Sequence, residues 1–127
     1  MIRREVNERL EAEVPVTIYG PDGFHIDVRA VIDTGYDSWL TLPLIAVEYL
    51  GLTRNSTGMA KLADDTVTPF EYYFAEVDWN DNRKTILVSA VGAEVLIGMK
   101  LLIGHELRIS VVVGGAVTIE PLTHAID

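Results

Sequence analysis

Hydrophobic and polar residues alternate along most of this chain with the two-residue period of β-strands rather than the longer period of helices. The longest alternating run predicts a strand over 24–32, which places Phe24, Ile26, Val28, Ala30 and Ile32 on one face. Further strands are predicted at 14–19, 40–42, 59–62, 67–79, 85–91, 95–97, 107–113 and 117–119. Two short helices are predicted at 43–50 and 99–103, the first with Pro43 in its opening turn and Gly51 just past its end. Many short strands separated by turns indicate an all-β, closed or sandwich-like barrel.

The composition limits the kind of protein and its partners. The 127 residues are expected to form a single domain over 1–127, and 49% of them are apolar, which excludes a disordered chain. Asp and Glu number 19 against 10 Lys and Arg, for a net charge of -9. Because phosphate binding needs clustered positive charge, we expect neither nucleic acid nor an anionic membrane as partner. There is no cysteine, so disulfides and thiolate metal sites are excluded.

The sequence shows neither the pattern of a signal peptide nor that of a membrane-spanning helix. The first five residues, Met1-Ile2-Arg3-Arg4-Glu5, are not followed by the apolar stretch of a signal peptide. The most apolar region, 86–103, contains two glycines and two charged residues and is too interrupted for a membrane span. We therefore expect a cytoplasmic protein.

The sequence Asp33-Thr34-Gly35 is the strongest candidate for chemistry. Asp33 follows an apolar strand directly, where burying a carboxylate without partners is costly. Gly35 permits a tight turn that brings backbone N–H groups near the carboxylate, and the Thr34 hydroxyl can bind elsewhere. The plain alternative is an Asp that hydrogen-bonds its own turn at the end of a strand.

A second segment about sixty residues further on, 94–102 (EVLIGMKLL), stands out together with this motif because of its order and spacing along the chain. An apolar strand ending in Asp-Thr-Gly, then a hairpin, then two apolar residues and a Gly leading into a short helix resembles the retropepsin-like aspartic proteases. The small prokaryotic members of that group are the most similar, because there Asp-Thr-Gly is followed by an aromatic residue and then Leu-Thr-Leu-Pro. Here that stretch, 36–43, reads YDSWLTLP. The resemblance covers residues 14–122.

The resemblance implies a closed barrel of the retropepsin type and an aspartic endopeptidase that needs no cofactor or metal and acts on a peptide or protein substrate. In such enzymes two carboxylates activate a water molecule, and like charges about 3 Å apart share one proton. This chain holds one Asp-Thr-Gly, so the resemblance implies a homodimer in which each copy supplies Asp33.

The resemblance also assigns roles to individual residues. Asp33 would be the catalytic group, Thr34 would lock the two loops together, and Gly35 would admit substrate and water. The hairpin around 61–68 would be a flap that closes over the substrate. Its tip residues are Leu62, Ala63, Asp64, Asp65 and Thr66. The segment that would pack beneath the Asp33 loop is Leu96, Ile97 and Gly98.

Two positions depart from the family pattern. Tyr36 stands where most retropepsins carry a small residue, and Gly98-Met99-Lys100 stands where viral enzymes have Gly-Arg-Asn or Gly-Arg-Asp. These departures keep two alternatives open. One is a noncatalytic peptide- or protein-binding module on the same barrel. The other is a subunit that becomes active with a different chain supplying the second aspartate.

Overall fold

Six strands close into a barrel in the computed structural model, which describes residues 1–61 and 64–123. The strands are β1 (Ile2–Glu5), β2 (Glu13–Tyr19), β3 (His25–Ile32), β4 (Leu40–Leu42), β5 (Thr53–Lys61), β6 (Val67–Trp79), β7 (Asn82–Ala90), β8 (Leu96–Ile97), β9 (His105–Ile109) and β10 (Ala116–Pro121). The helices are α1 (Leu44–Leu50) and α2 (Met99–Leu102). The all-β prediction with two short helices is confirmed.

The barrel follows the order β2-β3-β8-β4-β7-β6 and closes where β6 pairs again with β2. The closing register joins Ile18 to Val77 and Tyr19 to Glu76. Two of the pairings, β3 with β8 and β4 with β7, are parallel. β5 continues the sheet beyond β6, so the β5–β6 hairpin projects past the closed ring.

The core of the barrel comes from the inward-facing positions of these strands. Val14, Val16 and Ile18 of β2 are buried, and Pro15 between them is exposed, which is the two-residue period that the sequence predicts. Leu40 and Leu42 of β4 are fully buried. These side chains form one continuous apolar cluster with Val77, Val88, Ile97 and Leu101.

A small second sheet has the order β1-β10-β9. It contributes Val117 and Ile119 of β10 to the core, both fully buried. β1 is absent from the sequence prediction because its residues show no alternation. Apart from Ile2, they are exposed, and the strand exists through its pairing with β10.

Several element boundaries differ from the predicted ones. β5 begins at Thr53 rather than at 59, because its first half is polar and lies outside the closed ring, where no apolar alternation is needed. The predicted strand 107–113 ends at Ile109, and the valines at 111–113 are exposed in the connection to β10. Phe24 lies before β3 and is exposed, with its ring 5.6 Å from that of Tyr49.

The first helix matches its prediction closely. Pro43 is its N-cap residue, and Gly51 ends it with a φ of 63°, a left-handed conformation that favours glycine. Its buried face carries Val47 and Leu50. In the described ranges, neither helix has the length and apolar character needed to cross a membrane.

Candidate functional site

Asp33 lies where β3 ends, with its side chain half-buried. Its backbone N–H donates to the carbonyl of Ile97 at 2.9 Å, which extends the parallel β3–β8 pairing by one residue. Its carboxylate oxygen Oδ1 accepts the backbone N–H of Gly35 at 2.9 Å. The turn therefore fixes one oxygen of the carboxylate, as an Asx turn does.

The loop after Asp33 is held by the segment that follows β8. Ile97 pairs with Ile32 of β3 and with Leu40 of β4, so both ends of the loop meet on β8. Three consecutive backbone N–H groups, those of residues 98–100, then donate back into the loop at 2.8–3.0 Å. Their acceptors are the carbonyls of Trp39, Tyr36 and Ser38. The position of Asp33 is thus set by backbone hydrogen bonds on both sides of its loop.

Gly98 allows this close approach. A Cβ atom at this position would collide with the carbonyl oxygen of Ser38 and would lie 2.6 Å from the Tyr36 ring. No other residue fits without moving the loop. The structure therefore places Leu96, Ile97 and Gly98 beneath the loop that carries Asp33, with Ile97 fully buried.

Two buried hydroxyl groups strengthen the site, and the sequence reasoning missed both roles. Thr41 is 4% exposed, and its Oγ1 donates to the Glu94 carbonyl at 2.9 Å while accepting the Leu96 N–H at 2.9 Å. Ser89 is 2% exposed, and its Oγ lies 2.8 Å from the Tyr36 hydroxyl. Each is a lone polar residue between apolar neighbours in a strand, the signal that would have identified it as a hydrogen-bonded core group.

Tyr36 thus has a defined place. This bulky residue extends from the Asp33 loop to Ser89 on β7. Its ring packs closely against Gly98, where the absence of a side chain leaves room for it. The ring fills the space between the loop and the barrel wall.

The predicted flap corresponds to the β5–β6 hairpin. Leu62 and Ala63 lie outside the described residues, whereas Asp64, Asp65 and Thr66 form an exposed turn. Asp64 Oδ1 accepts both the hydroxyl of Thr66 at 2.6 Å and its backbone N–H at 3.1 Å, and these bonds lower the pKa of the Asp64 carboxyl. Lys61 forms an exposed ion pair with Asp65 at 3.2 Å.

Tyr72, towards the base of this hairpin, lies next to the Asp33 loop. Tyr72 of β6 is directly opposite Ser89 in the strand register. Its pKa is raised by partial burial and, to a lesser extent, by the charges of Tyr36 and Asp37. Among the described residues, no hydrogen bond or ion pair joins the turn at 64–66 to Asp33.

The described residues of the site include one carboxylate oriented by its own turn, that of Asp33. In the residues that the structure covers, no three His, Asp or Glu side chains are grouped so as to hold a metal ion. Comparison of the sequence with protein-family models, curated proteins and solved structures finds no match.

Proposed function

We propose that this protein is a homodimeric, retropepsin-like aspartic endopeptidase in which Asp33 of each copy forms half of the catalytic pair. The observation that carries the proposal is the Asp33 loop. A half-buried carboxylate ends a barrel strand, accepts the Gly35 N–H, and is fixed from below by the segment around Gly98. An ordinary surface turn has no need of a strand-to-helix junction that excludes a side chain at one position, here Gly98.

The proposed reaction uses two Asp33 carboxyl groups with one shared proton. The ionised carboxylate takes a proton from a water molecule, whose oxygen attacks the peptide carbonyl carbon. The protonated partner hydrogen-bonds the carbonyl oxygen and later supplies a proton as the C–N bond breaks. Because the two groups are coupled, their titration belongs to the pair and not to either residue.

An extended peptide is the proposed substrate. β5 ends the seven-stranded sheet and, among the described strands, pairs with β6 alone. A strand edge of this kind binds a peptide through main-chain hydrogen bonds, while the alternate side chains reach pockets. The β5–β6 hairpin would then act as the flap, and the proposed setting is the cytoplasm.

A noncatalytic binding module on the same barrel is the second candidate. The observation that favours it is the Asp33–Gly35 hydrogen bond, which also satisfies an Asp with a purely structural role. An inhibitor of aspartic peptidases separates the two candidates, because a ligand that binds the folded state raises its melting temperature. A rise supports the peptidase, and no change at saturating inhibitor supports the binding module.

The direct test replaces Asp33 with Asn and measures cleavage of a mixed peptide library from acidic to neutral pH. We expect Asp33→Asn to abolish cleavage while the melting temperature stays close to that of the wild type. Asp37→Asn is the matched control, since Asp37 is an exposed carboxylate in the same loop. Cleavage that survives in Asp33→Asn, or a wild type that cleaves nothing, contradicts the proposal.

A further inference from the structure

An apolar groove opens beside the Asp33 loop, between α2 and β9. We call it the α2–β9 groove and define it by Thr34, Met99, Lys100, Ile103, His105 and Leu107. It encloses about 300 Å³. Ile103 is 70% exposed at its edge and Met99 46%, so large apolar side chains face solvent here.

The charge of the groove distinguishes it from four other cavities of the described chain. The chain carries a net charge of -9, so two copies repel each other over most of their surfaces. The groove residues include no carboxylate, and their ionisable groups are Lys100 and His105. Four other cavities of the described chain each include at least one Asp or Glu. Two copies that meet at the α2–β9 groove therefore bring no carboxylates of the groove residues against each other.

The position of the groove also fits the chemistry. Thr34, which follows Asp33 directly, has an exposed side chain and lines the groove. Contact between two such grooves across a two-fold axis brings the two Asp33 loops together. A catalytic pair that needs one carboxylate from each copy requires an interface in this region.

A second exposed apolar face lies far from Asp33. It is formed by Phe24, Leu44, Ile45 and Tyr49, near α1 and the β2–β3 turn. The carbonyl of Leu50 at the end of α1 packs against Gly20 in that turn. Asp33 is at the opposite end of β3, whose length of 8 residues spans about 26 Å. A dimer formed through this face would leave the Asp33 carboxylates far apart.

We propose that a second copy of this chain occupies the α2–β9 groove, in an isologous interface where Met99 and Ile103 are the apolar contacts. This inference rests on the proposed function for its two-fold catalytic pair. It goes further by assigning the contact surface and the residues that hold it.

The test compares Ile103→Asp with Ile45→Asp by sedimentation velocity over a range of concentrations. Both side chains are largely exposed, 70% and 77%, so both variants are expected to fold. In a two-fold interface each substitution places two carboxylates in the contact, and we expect Ile103→Asp to weaken dimerisation by about 100-fold or more. Ile45→Asp should dimerise as the wild type does. Met99→Asp is a second groove variant and should act like Ile103→Asp.

The outcomes separate this inference from the proposed function. Monomeric groove variants beside a dimeric Ile45→Asp support the inference, whether or not the wild type cleaves peptides. Groove variants that remain dimeric overturn it, and if they still cleave peptides the proposed function stands. A wild type that is monomeric at every concentration overturns both.

Discussion

The Asp33 loop and the tip of the β5–β6 hairpin are held in opposite ways. The loop is fixed by backbone hydrogen bonds to the chain around Gly98 and by the buried hydroxyls of Thr41 and Ser89. In the described part of the tip, residues 64–66, the contacts join neighbours in the sequence: the Lys61–Asp65 ion pair and the bonds from Thr66 to Asp64, all exposed.

The two regions therefore differ in how strongly their conformation is fixed. Buried hydrogen bonds are costly to break because they leave polar groups without partners, so the loop holds Asp33 in one geometry. Exposed ion pairs contribute little, so the contacts described within the turn at 64–66 stabilise it only weakly. In the proposed peptidase, a carboxylate that meets its partner would need the first kind of support, and a flap that admits substrate would need the second.

The largest expected effect comes from Gly98→Ala. The new methyl group meets the Ser38 backbone, which cannot move without displacing the loop. We expect a loss of about 3 kcal/mol in the free energy of unfolding, or failure to fold. Gly35→Ala is the control, because its Cβ would meet a side-chain atom, Asp33 Oδ1 at 3.3 Å, which has to shift by a few tenths of an ångström, and the substitution should cost less than about 1 kcal/mol. Urea denaturation of both variants checks this, and equal losses would contradict the rigid-loop interpretation.

A smaller effect is expected from Thr41→Val. The substitution keeps the shape but leaves the Glu94 carbonyl and the Leu96 N–H without their partner. We expect a loss of about 2 kcal/mol in the free energy of unfolding. Thr17→Val is matched to it, since the Thr17 hydroxyl donates to Asp27 at the surface, and should cost about 0.5 kcal/mol. If the two variants were equally stable, the buried hydroxyl would not be what holds β8 in place.

The smallest effect concerns the tip and its dependence on pH. Because hydrogen bonds from Thr66 lower the pKa of Asp64 below 3.8, its ionised form is favoured in the folded state. The small stabilisation is present above the ordinary pKa of Asp and is lost as the pH falls through the lowered value. NMR titration of the Asp64 carboxyl should give a midpoint below 3.8, which Thr66→Ala moves upward. A midpoint that Thr66→Ala leaves in place would show that the turn does not form.

The alternation of the sequence predicted most of the barrel, because strands with one buried face display their period directly. Val14, Val16 and Ile18 are an example, and all three are buried. β1 and the first half of β5 were missed for the same physical reason. They are stabilised by pairing at the edges of sheets and bury few side chains, so their sequences carry no period.

The candidate site was predicted in part. Asp33 and Gly98 stand out as motif residues, but the bond between Tyr36 and Ser89 joins positions 53 residues apart, which no local pattern reveals. Thr41 is similar, since its two partners lie in a distant part of the chain. The predicted flap around 61–68 stays a prediction, and the position of Tyr72 near the Asp33 loop is a feature that no local pattern of the sequence indicates.

The central claim is that each catalytic site needs Asp33 from two chains, and a mixing experiment tests it most directly. Wild type is incubated with an equal amount of Asp33→Asn until the subunits have exchanged, and peptide cleavage is then measured. Adding an equal amount of the variant doubles the number of dimers, and random pairing leaves one dimer in four with two Asp33 residues. The number of such dimers is then half of that before mixing, so the total activity should fall to about half. As more Asp33→Asn is added, the activity should fall further, in proportion to the wild-type fraction of all chains. Activity that stays constant at every ratio would show that one chain is sufficient and would contradict the account.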